Sequence, residues 1–88
     1  MKTEYPIILI SEQTGFTVYI PDFGINTQGK DLNEAIEMAR DAIGLMGIDM
    51  QDDGKEIRTS SNANDIKTNH NELITLVDVD FSEYLKKK

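Results

Sequence analysis

Apolar and polar positions along the chain follow two rhythms in turn. EYPIILIS, residues 4–11, is a short isoleucine-rich run closed by the turn chemistry of EQTG at 12–15, which predicts a buried strand and a tight reversal. FTVYI at 16–20 alternates, with Phe16, Val18 and Ile20 on one side and Thr17 and Tyr19 on the other, so a second strand with one strongly buried face forms a hairpin with the first. Pro21 offers no N–H to a continuing ladder. PDFG therefore turns the chain, with Pro21 and Gly24 suited to the turn, and INTQ at 25–28 returns as a short third strand.

The period then lengthens. Leu32, Ala35, Ile36, Ala39, Ala42, Ile43 and Met46 fall on one stripe of a 3.6-residue spiral, while Glu34, Glu37, Arg40 and Asp41 fall on the other side. This predicts a helix over 31–46, opened by the capping-box spacing of Asp31 and Glu34 and ended near Gly44 and Gly47. Residues 49–71 are poor in apolar side chains and predict a long connection, in which Ser61 is placed to cap one short helical turn. ELITLVDVD at 72–80 is apolar on both faces, as in a strand of a parallel pair or at an interface. Asp80 and Glu83 repeat the cap spacing ahead of FSEYLKKK, whose lysines suit the end of a short helix.

These elements predict one α+β domain over residues 1–88, in the order β-β-β-α-β. A meander followed by a right-handed helical crossover gives the sheet order 3-2-1-4 with the fourth strand parallel to the first. One main helix covers one face and a short helix follows at the C-terminus. The other face, with Tyr19 and part of the isoleucine run, is left bare. A bare apolar face predicts a homodimer or larger oligomer, built through that face or through the fourth strand.

Composition narrows the chemistry. The 88 residues contain no cysteine, which excludes a disulfide scaffold, a thiolate zinc site and a cysteine nucleophile. No apolar run approaches the roughly 20 residues of a membrane helix, and MKTEYP has no secretory h-region, so the expected location is the cytoplasm. A formal charge of -7 repels phosphate backbones and favours a basic protein as partner.

The combination of a strand beginning YP, a strand ending in PD, then GINTQG, the acidic-capped helix LNEAIEMARDAI and the closing VDVDFSEYL resembles the HicB-like antitoxins over residues 5–85. The resemblance implies a partial RNase-H-like fold and a role in neutralising a small, basic, RNA-cleaving HicA-like toxin. Such antitoxins commonly add a C-terminal DNA-binding segment. The sequence ends at Lys88, so no direct DNA binding is expected and autoregulation falls to a separate partner.

An RNase-H-like fold raises the question of catalysis. Two-metal phosphodiester cleavage needs several carboxylates converging on cations about 4 Å apart. Asp78 and Asp80 share one face of the last strand, with Glu34 and Asp22 as further candidates, but the first strand brings Ile7, Ile8, Leu9 and Ile10 where the central carboxylate belongs. Edge protection or helix capping accounts better for Asp78 and Asp80. His70, the only histidine, sits among asparagines and reads as a solvated loop residue. GINTQG lacks the lysine of a phosphate cradle, and Lys86–Lys88 alone are a weak nucleic-acid signal. No catalytic residue, metal or cofactor is assigned. The partner-binding candidates are Tyr19, Asp22, Phe23, Asp78, Asp80 and Tyr84. The leading reading is a non-enzymatic antitoxin; a residual metal-dependent nuclease and a stand-alone interaction module are the alternatives.

Overall fold

A computed structural model describes residues 2–85. Strand β1 (Lys2–Glu12) and β2 (Gly15–Ile20) form a hairpin, and β3 (Ile25–Gly29) pairs with β2. Helix α1 (Leu32–Asp52) follows, then a long connection holding one 3-10 turn (Ala63–Asp65), then β4 (Glu72–Asp80) and the short helix α2 (Phe81–Leu85). The sheet order is β3-β2-β1-β4, the expected one. Lys86–Lys88, the expected end of the last helix, lie outside the described residues.

The alternation read in the sequence becomes the core. Tyr5, Ile7 and Leu9 of β1, Val18 and Ile20 of β2, and Val77 and Val79 of β4 bury one sheet face against Ala35, Ala39 and Ile43 of α1. Alanines at the helix contact let it lie close to the strands. Their N-terminal junction is tighter still: a Cβ on Gly29 would fall 2.6 Å from the Ala35 Cα, so only glycine fits there. Asp31 caps the helix by accepting from the Glu34 N–H at 2.8 Å, and the Glu34 carboxylate reaches back to the Lys30 N–H at 2.8 Å. At the β2–β3 turn, Gly24 adopts a left-handed φ of 64° while its N–H donates to the Ile20 carbonyl at 2.8 Å.

Three expectations are corrected. Helix α1 does not stop at Gly44 and Gly47 but runs through them to Asp52. Both glycines are buried because the rings of α2 lie on them: a Cβ on Gly44 would fall 2.5 Å from the Tyr84 ring, and one on Gly47 would collide with Phe81. The missing side chains are sockets for aromatic rings rather than helix breakers. Secondly, β4 is antiparallel to β1, not parallel, with Lys2 opposite Asp80 and Ile10 opposite Glu72. Helix α1 returns the chain along the sheet by about 31 Å at 1.5 Å per residue, and residues 53–71 then carry it back again before β4 begins. Direction is thereby reversed once more than a short crossover allows.

Thirdly, the face away from α1 is not bare. Residues 53–71 form a strap that starts on the helix side, where the Tyr5 hydroxyl donates to the Arg58 carbonyl at 2.6 Å, and rounds the β2–β3 turn, where the Ser61 N–H donates to Asp22 Oδ2 at 2.9 Å, joined by a Ser61 Oγ–Asp22 Oδ1 bond. Ser60–Asn64 share a shallow depression with Lys2, Glu4 and Leu76, and the 3-10 turn packs on β4. That turn is capped by Asn62, whose side chain accepts from the Asn64 N–H, in place of Ser61. Among the described residues, no helix is long and apolar enough to cross a membrane.

Candidate functional site

Register assigns the surface opposite α1. Tyr19 of β2 is paired with Ile8 of β1, and Ile8 with Ile74 of β4, so the three form one row across the sheet. Pro6 pairs with Leu76 in the next row. Pro6 and Ile8, in the central strand, are buried, whereas Tyr19 and Leu76 remain 37% and 49% exposed. An amphipathic ring and a leucine flanking a buried centre have the composition of a protein contact, in which aromatic side chains supply large area at low entropic cost.

The six candidate residues separate in space. Tyr19 alone stands out from this face as an exposed aromatic. Asp22, in the β2–β3 turn, is half-buried and fastens the strap through Ser61. Phe23 is half-buried rather than projecting, with its ring edge-on to Tyr5 at 5.2 Å. Tyr84 is 5% exposed; its ring packs on Gly44 and its hydroxyl donates to Asp41 Oδ1 at 2.8 Å. Burial and the neighbouring Asp41 carboxylate raise the Tyr84 pKa, so the phenol remains a donor. Burial, with the Asp22 charge, likewise raises that of Tyr5.

Asp78 and Asp80 do different work at the edge. The Arg40 guanidinium, reaching from α1, donates from Nε to the Asp78 carbonyl at 2.8 Å and from Nη2 to Asp78 Oδ1 at 3.1 Å. Lys2 Nζ lies 3.6 Å from Asp78 Oδ2. The hydrogen bond from Arg40 holds the Asp78 carboxyl below its usual range. Asp80 caps α2, accepting from Ser82 Oγ at 2.6 Å and the Ser82 N–H at 3.1 Å, and the Ser82 hydroxyl is the largest cause of a pKa lowered to about 2. Among the described residues, no three carboxylate or histidine side chains are gathered to hold a metal ion. His70 is exposed in the turn before β4.

Sequence reasoning did not find Arg40, Arg58 or Ser61. Arg40 occupied a polar position on a predicted helix face, and only the antiparallel return of β4 puts the Asp78 carbonyl within its reach. Arg58 acts through its backbone carbonyl, for which side-chain identity carries no signal.

Comparison with known proteins adds the following. The family model described as "HicB_like antitoxin of bacterial toxin-antitoxin system" matches residues 5–88. The fold is similar to a chain of a solved toxin-antitoxin complex from Streptococcus pneumoniae, with a TM-score of 0.82 and 24% identity over 96% of this chain and 73% of that one. It is also similar to a chain of a HicA3 and HicB3 toxin-antitoxin complex, with a TM-score of 0.72 and 18% identity over 89% of this chain and 99% of that one. No curated protein matches.

Proposed function

Because the chain belongs to the HicB-like antitoxin family of bacterial toxin-antitoxin systems, we propose that it acts in the cytoplasm as the binding partner that neutralises a HicA-like, RNA-cleaving toxin. The match over residues 5–88 carries this reading, since it takes in every described element from Tyr5 onwards. Charge supports it. A protein that binds RNA presents cations to phosphates, and a chain of net charge -7 is drawn to the same cations. Tyr19 offers the exposed aromatic anchor, and the charge of Asp22, Asp78 and Asp80 adds long-range attraction. Phe23 and Tyr84 contribute by shaping the surface from within.

The role is binding rather than catalysis. Asp78 and Asp80, the carboxylates a nuclease would require, are occupied by Arg40 and by the cap of α2. The same negative charge argues against DNA binding by this 88-residue chain. Co-expression with a HicA-like toxin encoded beside it tests the reading. Growth is expected to be restored, and purified chain and toxin are expected to co-elute. Unrelieved toxicity with no complex would refute it. Metal-dependent RNA cleavage lost in Asp80→Asn would establish the nuclease alternative instead.

A further inference from the structure

Helix α1 carries a second stripe on the side turned away from the sheet. Glu34, Met38, Asp41, Leu45, Asp49 and Asp52 follow one another at spacings of four, three, four, four and three residues, the period of the helix itself, and all six are exposed. Two large apolar side chains thus stand in a column of carboxylates about 27 Å long at 1.5 Å per residue. Met38 is 44% and Leu45 52% exposed, two turns apart on one face. A helix side that met only water would have no use for either.

Helix stability does not account for the column. Carboxylates in a last turn oppose the negative end of the helix dipole, and like charges one turn apart repel. Yet Asp49, Asp52 and the C-cap Asp53 crowd that end, where no basic residue stands. Residues 31–53 hold seven carboxylates and one arginine, a net charge of -6 out of the -7 of the whole chain. The arginine, Arg40, is drawn to β4, its guanidinium shared between Asp78 and Glu37. Outside 31–53, nine carboxylates are set against eight cations, so the rest of the molecule, the Tyr19 face included, is close to balanced. The long-range field of the protein comes almost wholly from one helix.

Resting on the toxin-binding reading above, we infer that this outward face of α1, rather than the sheet face with Tyr19, is the main surface on which the basic toxin docks. Met38 and Leu45 form the dry centre of the contact. Each has a carboxylate one turn before it and one turn after it, Glu34 and Asp41 around Met38, Asp41 and Asp49 around Leu45, and these meet the toxin's cations at the rim. An apolar centre with a polar rim is the anatomy of a protein interface, and the unbranched thioether of Met38 adapts to the shape it meets. Charge selects the occupant. A surface that holds RNA phosphates through its cations is attracted to this helix, whereas nucleic acid itself is repelled. Binding also places cations beside carboxylates that repel one another in the free helix.

Surface plasmon resonance of the full chain on a purified HicA-like toxin encoded beside it, at several salt concentrations, tests this. Met38→Ala combined with Leu45→Ala keeps helix propensity, touches no core residue, and is expected to raise Kd by at least about tenfold, mainly through faster dissociation. Asp49→Asn combined with Asp52→Asn is expected to slow association several-fold and to flatten its salt dependence, with dissociation little changed. Tyr19→Ala is expected to have a smaller effect on Kd than the double alanine variant. Circular dichroism checks that each variant is folded. A double alanine variant that binds as tightly as the native chain overturns the inference and leaves the toxin reading standing, as does a loss of binding confined to Tyr19→Ala, which gives the contact to the sheet face. Association unchanged in rate and salt dependence by Asp49→Asn with Asp52→Asn also overturns it. A native chain that does not bind the toxin overturns both.

Discussion

The two faces of the sheet are finished by different means. Against α1, seven strand residues and three helix residues meet in a fully apolar contact in which every one is at most 2% exposed. On the other face, the central Pro6 and Ile8 are buried too, but what passes over it is a polar strap, held to Asp22 by Ser61 and lying beside Lys2, Glu4 and Leu76. Dispersion in a close-packed contact is lost in many small parts when any atom leaves it. A strap held by a few hydrogen bonds can detach as a unit, each bond contributing about 1 kcal/mol net. The contrast assigns global stability to the helix face and local opening to the strap face, the side that carries Tyr19.

The sharpest way to break this contrast is at its centre. Ile43→Ala empties a fully buried site between α1 and the sheet and is expected to cost about 2–5 kcal/mol. The urea midpoint should fall with an unchanged slope. A loss below about 1 kcal/mol would mean that the helix face is not the main store of stability. Gly44→Ala comes next. The new methyl group falls on the Tyr84 ring, an overpacking cost of about 1–3 kcal/mol set against about 1 kcal/mol of improved helix propensity. The expected result is a net destabilisation with a changed tyrosine environment in near-ultraviolet circular dichroism. A stabilised variant would show that α2 is not seated on the glycine.

Much of this molecule could be read before folding it, because local periodicity is set by local packing. The alternation in FTVYI and the spacing from Leu32 to Met46 identify β2 and most of α1, and Asp31 and Glu34 behave as their spacing predicts. Failures arose where a residue's meaning lies in a distant partner. Gly44 and Gly47 carry helix-breaking propensity, yet the rings of Tyr84 and Phe81, far on in sequence, make their smallness useful. The direction of β4 was legible in principle. A connection as long as 53–71 exceeds what a short helix-to-strand turn needs, and that excess is the signature of a chain travelling back along the sheet. Of the six candidate residues, alternation made legible the outward placement of Tyr19 but cannot tell that Phe23 and Tyr84 turn inward.

Weakening the strap sharpens the contrast from its other side. Ser61→Ala removes the Oγ bond to Asp22 and leaves the backbone N–H bond in place, so the global cost is expected to be about 0.5–1 kcal/mol. The local effect should be larger in proportion. Limited proteolysis within residues 53–71 is expected to accelerate several-fold while the unfolding midpoint hardly moves. Equal changes in both would merge the two faces into one cooperative unit.

The smallest expected effect lies at the junction where β4 passes into α2. Asp80 caps that helix through Ser82, and its pKa is lowered from 3.8 to about 2. A carboxylate with a depressed folded-state pKa contributes stability above its unfolded value, and that contribution is lost as pH falls through the folded one. Here the window runs from near pH 4 down to about 2. The Asp80 carboxyl is exposed to solvent, so its protonation should release α2 locally, loosening Tyr84 and Phe81 from Gly44 and Gly47, before the strands part. Carboxyl titration by NMR is expected to find Asp80 protonating at about pH 2, with tyrosine signals of α2 shifting in the same pH range. Ser82→Ala should move the Asp80 pKa back towards 3.8, because the side-chain hydrogen bond is the largest cause of its shift. An unmoved titration in that variant would transfer the effect from the cap to the surrounding charge.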